Sequence, residues 1–188
     1  DYPTLDAIML IDCSNVTISS NSITETDFFT PSGSSNYLYV LDVYTTSDVL
    51  IEKNNISVVT DGGNADAGTS YPIQLSGPYS NVVVDGNNLY ANCGGPVLGV
   101  YSQSYGGSTE ILVKNNFINV TGLPTFNSWG LVSGIEVQDY FAKIYNNTIY
   151  TQAVDGTYED GMNLYGISYA QNLPQSLNNY DIRDNTIS

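Results

Sequence analysis

Apolar residues in this chain recur at fixed distances from asparagine. Six words share the pattern: ISSNSI from Ile18, IEKNNI from Ile51, VDGNNL from Val84, VKNNFI from Val113, IYNNTI from Ile144 and IRDNTI from Ile182. The recurring residues are Asn21, Asn54, Asn87, Asn116, Asn147 and Asn185, with spacings of 33, 33, 29, 31 and 38. Three residues before each stands Ile or Val, and two residues after each stands Ile or Leu. Five residues before stand Val16, Val49, Val82, Ile111, Ala142 and Tyr180. Apolar positions two apart are the signature of a strand with one buried face. The position after the Asn opens a second short strand beyond a bend. A third apolar run precedes each word: AIMLID, YLYVLD, YPIQLS, PVLGVY, GIEVQD and YGISYA. Each period therefore predicts three short strands, with Gly, Asn, Asp and Pro in the connections.

One such triplet cannot bury its apolar side alone, but stacked triplets can. The pattern predicts an all-β fold, a right-handed parallel β-helix of about six coils, the last incomplete. With coils about 4.8 Å apart, the rod would be roughly 25–30 Å long. At each bend an inward Asn would lie over the Asn of the next coil. Its amide both donates and accepts, so the six copies can form a hydrogen-bonded ladder. Asn also tolerates the left-handed backbone of a tight bend. Residues 1–188 read as one β-helix segment cut from a longer surface protein.

These words resemble those of the parallel β-helix repeat family, the superfamily that includes the pectate-lyase-like enzymes. The resemblance covers residues 5–188. The Asn-, Ser-, Thr- and Tyr-rich, acidic, Lys-poor texture also looks like the adhesin-like cell-surface proteins of methanogenic archaea. That second resemblance implies an extracellular, cell-surface location and a role in attachment.

Charge narrows the partners. The chain has 19 acidic and 4 basic residues, a net charge of −15 and no His. Such a surface repels nucleic acid and anionic membranes. Without His, neither a Ser-His-Asp triad nor a His-ligated zinc can be built. The two Cys, Cys13 and Cys93, would lie about 9–10 Å apart along the coil axis, beyond the reach of a disulfide. They are expected as free, buried thiols.

Candidate chemistry lies in the loops and on the outward positions. Acidic residues gather in two connections, one with Asp61 and Asp66 and the other with Asp155, Glu159 and Asp160. No cofactor is required, but these loops could hold calcium through carboxylate and carbonyl oxygens. Tyr90 and Tyr150 occupy outward strand positions, and Trp129 and Tyr158 lie in long loops. Aromatic faces stack on sugar rings, so these four are the candidate ligand-binding residues. Leu50, Val83 and Leu112 would form an outward apolar stripe. Lys53, Lys114, Lys143 and Arg183 are all expected on the strand just before the ladder, as surface charges. Asn15, Asn55, Asn119 and Asn146 begin N-x-Ser/Thr words.

The expectation is a non-catalytic, adhesin-like module that binds carbohydrate or another cell-surface protein, with no direct membrane insertion. The alternatives are a polysaccharide-degrading enzyme fragment, lyase or hydrolase, using the acidic loops with calcium, and a structural spacer.

Overall fold

The computed structural model describes residues 4–27, 37–44, 46–60, 69–103, 110–122, 131–138, 141–153, 163–169 and 179–188. The chain winds through three strands per turn. These are β1 (Thr4–Ile11), β2 (Ser14–Ser19) and β3 (Ser22–Asp27), then β4 (Tyr37–Tyr44), β5 (Ser47–Glu52) and β6 (Asn55–Thr60). β7 (Thr69–Ser76), β8 (Ser80–Asp85) and β9 (Asn88–Cys93) follow, then β10 (Val97–Gln103), β11 (Glu110–Lys114) and β12 (Phe117–Gly122). The last two sets are β13 (Leu131–Gln138), β14 (Phe141–Tyr145), β15 (Thr148–Ala153), and β16 (Asn163–Tyr169), β17 (Asn179–Arg183), β18 (Thr186–Ile187).

Every third strand pairs in parallel, giving three six-stranded sheets. Sheet one runs β1-β4-β7-β10-β13-β16, sheet two β2 through β17, and sheet three β3 through β18. The fold is a parallel β-solenoid. Its closed core is shorter than six coils. Fully buried aliphatic residues line the four turns from β4 to β15, where Val49, Ile51, Ile56, Val82, Val84 and Leu89 are typical. In the flanking turns the same columns open: Ile182 is 42% exposed and Ile187 52%. The aliphatic columns face inward because alternation along each strand leaves them no other side.

The bend between sheets two and three holds the predicted ladder. Asn54 donates its backbone N–H and its Nδ2 to Asn87 Oδ1, both at 3.0 Å. Asn87 does the same to Asn116, and Asn116 to Asn147. Asn21 and Asn147 extend the chain of bonds to Asn54 and Asn185. The second Nδ2 proton returns to a carbonyl of the preceding turn, as from Asn116 to Val84 O at 3.0 Å. One expectation needs correction. The left-handed residue of the bend is the one before the ladder Asn: Ser20, Lys53, Gly86, Asn115, Asn146 and Asp184 all have φ between 52° and 65°. The ladder residue itself must aim its amide inward along the stack, and the sharp turn is taken one position earlier.

Sheet one carries a second bend. Val40 and Leu41 are consecutive and both fully buried, so the strand changes direction between them. The register skips the corresponding position in each pair, Val40 in β4, Gly99 in β10 and Gly134 in β13. A Cβ on Gly99 would sit 2.6 Å from Gly134 O, and one on Gly134 would overlap Ile149 Cγ2. Glycine there lets sheet one approach sheet three.

Candidate functional site

The solenoid presents three outer faces, and their chemistry differs. On sheet three the outward residues are Asn55, Ser57 and Val59 in β6, then Asn88, Tyr90 and Asn92 in β9. Phe117, Asn119 and Thr121 follow in β12, and Thr148, Tyr150 and Gln152 in β15. None of these carries a charge, in a chain of net charge −15. Tyr90, Asn119 and Tyr150 stand in register across three neighbouring strands. Phe117 packs beside Tyr150, with ring centroids 5.6 Å apart. Tyr90, Phe117 and Tyr150 are 41%, 43% and 42% exposed, so much of each ring faces solvent. Asn88 donates to Asn55 at 2.9 Å, a second, outer amide pair on this face.

Sheet one holds tyrosines and sheltered acids. Tyr37 and Tyr39 stack at 5.9 Å, Tyr39 and Tyr71 meet at 5.1 Å, and Tyr71 and Tyr101 at 5.3 Å. The rings face one another, so most of this stack is packing. Asp42 and Glu136 occupy outward positions by alternation yet are buried. Burial, helped by the nearby Asp6 charge, pushes the Asp42 carboxyl up to about 6. Burial also raises Glu136, against hydrogen bonds from Gln138 and Ser168. Tyr39 is pushed up to about 12, first by burial and then by the Asp42 charge. One oxygen each of Asp6 and Asp42 is buried without a hydrogen-bond partner. Asp42 and Glu136 lie three strand steps apart, about 14 Å, too far to act as a glycosidase pair.

Sheet two and its bend gather the cations. Lys53, Lys114, Lys143 and Arg183 each meet a carboxylate, of Glu52, Asp85, Glu110 and Asp181, at 2.8 to 3.6 Å. Arg183 also lies 4.4 Å over the Tyr145 ring. Leu50, Val83 and Leu112 are in register and half-buried, so the expected stripe is partly sheltered.

Of the sequence-predicted ligand residues, Tyr90 and Tyr150 share one face, whereas Trp129 and Tyr158 lie outside the described residues. So do the calcium candidates Asp61, Asp66, Asp155, Glu159 and Asp160. Among the described residues no group of three or more acidic or Cys side chains is placed to hold a metal. Among them, too, no helix is long and apolar enough to cross a membrane. Both thiols are free, and Cys93 is buried. Cys13 is only half-buried, because it sits in the turn after β1 at a hollow of about 550 Å³ shared with Thr46 and Tyr79. Asn55 and Asn119 share the sheet-three face, Asn146 lies at the left-handed bend before the ladder, and Asn15 is a left-handed residue near the start of β2.

Phe117 and the tyrosines of sheet one were not singled out from the sequence. Phe117 had a signal, since it directly follows Asn116 and alternation turns it outward. No family model, no curated protein and no solved structure matches this chain.

Proposed function

We propose that this chain is a non-catalytic binding module of an extracellular surface protein, adhesin-like in character, holding its ligand on the outer face of sheet three. The observation that carries this reading is the charge-free face with three half-exposed rings, Tyr90, Phe117 and Tyr150. A chain of net charge −15 that keeps the outward residues of β6, β9, β12 and β15 neutral has a surface there suited to contact rather than to solvation alone. The placement of the cations supports the same reading. All four are on the sheet-two side, in ion pairs, away from the buried acids of sheet one.

The test is retention on a panel of neutral and acidic polysaccharides and whole-cell surfaces, with and without calcium, scoring both held protein and released product. Retention without product, lost in Tyr90→Ala and Tyr150→Ala, is the expected result. Retention indifferent to both substitutions, or none at all, rejects the reading. The rival is a polysaccharide-degrading enzyme. It is favoured by the partnerless buried oxygens of Asp6 and Asp42, and calcium-dependent release of product would select it.

A further inference from the structure

The sheet-three face also has the features that select a kind of ligand. This inference rests on the reading of that face as the binding surface. We infer that the ligand is a neutral, extended, β-1,4-linked polysaccharide lying along the solenoid axis, over the column Tyr90–Asn119–Tyr150.

Three observations lead there. The first is charge: no outward residue of β6, β9, β12 or β15 is a carboxylate or a cation. An acidic polymer finds no counter-charge here, and the molecule around the face repels it. The second is spacing. Tyr90 and Tyr150 are two strand steps apart, about 9–10 Å, in register through Asn119. An extended β-1,4-linked chain turns the same ring face down at every second sugar, a repeat of about that length. Alternate sugars can therefore stack on the two tyrosines. The third is what lies between. The Asn119 amide stands under the intervening sugar, with a donor and an acceptor for its hydroxyls. Phe117, packed on Tyr150, widens the apolar floor on one side. The sheet is a rigid support, so these groups need little ordering on binding.

The experiment is calorimetric titration of the whole chain with cellohexaose, mannohexaose, maltohexaose and an oligogalacturonate of matched length. The expected result is binding of cellohexaose or mannohexaose, weakened about tenfold or more in Tyr90→Ala and in Tyr150→Ala. Asn119→Asp, which keeps the shape and adds a charge, should weaken it too. The coiled α-linked maltohexaose and the acidic oligomer should bind at least about tenfold more weakly. Circular dichroism and melting of each variant check that the solenoid is intact. Maltohexaose or the acidic oligomer binding as well as the β-linked neutral chains overturns the inference. So does binding that ignores the three substitutions, or an absence of binding by either β-linked chain. If the panel above still shows retention that depends on Tyr90 and Tyr150, the binding face stands and only the ligand class falls.

Discussion

A single ladder asparagine satisfies several polar groups at once. The Asn116 side chain accepts two hydrogen bonds from Asn87 and gives two, to Asn147 Oδ1 and to Val84 O. Its replacement by Ala leaves buried donors and acceptors unpaired, each worth about 1–3 kcal/mol. Asn116→Ala should therefore destabilise by at least about 1–3 kcal/mol in urea unfolding, and Asn21→Ala, more exposed, by less. Asp42 makes the opposite contribution. Folded, it keeps its proton up to about pH 6, whereas unfolded it ionises near 3.8. Between those values the folded state binds more protons, so this group's effect on stability worsens as pH rises and is complete above the folded value. The cost is roughly 1–3 kcal/mol. Asp42→Asn should raise Tm at neutral pH and leave it almost unchanged below the unfolded value; equal shifts at both would show that the carboxyl is not the cause.

At the scale of the element, the three sheets are built alike inside and differently outside. Apart from the ladder asparagines, most inward columns are aliphatic, so there the core dictates chiefly size. Sheet one departs from this where its strands bend at Gly99, Gly134 and Gly166. A side chain on Gly134 would collide with Ile149 Cγ2 and stand 2.8 Å from Gly166 O. Gly134→Ala should cost about 1–3 kcal/mol, as overpacking does. Combined with Ile149→Ala, the loss should be smaller than the sum of the two single losses, because the cavity of one admits the methyl of the other. Additive losses would show that the backbone of β16, rather than Ile149, is what resists.

At the scale of the molecule, charge works against the fold. With 19 acidic and 4 basic residues, self-repulsion acts across the whole surface. Salt shortens its range from about 10 Å at 0.1 M to about 3 Å at 1 M. The same salt weakens four exposed ion pairs, each worth under about 1 kcal/mol. Repulsion among so many carboxylates outweighs those pairs. Raising NaCl from low to molar concentration should lift Tm by roughly 2–6 °C. A fall in Tm would mean that the ion pairs of sheet two dominate instead.

The repeat of aliphatic residues around Asn determined the solenoid, its inward columns and its ladder, because those depend on alternation and on a bend of constant length. From Val49 through Glu52 to Asn54, and in every later copy, the count is the same, so the sequence aligns itself. That also placed Tyr90 and Tyr150 outward. Sheet one was not legible in this way. The link from sheet one to sheet two runs from Tyr44 to Ser47 in one turn and from Gln103 to Glu110 in another, so columns counted from the Asn lose register. The meeting of Tyr39, Tyr71 and Tyr101, the burial of Asp42 and Glu136 and the need for Gly134 followed only once the strands were paired. The neutrality of the sheet-three face lay between these cases. Tyr90, Asn119 and Tyr150 each stand three residues after a ladder Asn, so the repeat lines them up. Tertiary structure alone decided that Phe117 packs on Tyr150 and that the three rings stay half-exposed, because contacts between neighbouring coils are set by packing rather than by any local pattern.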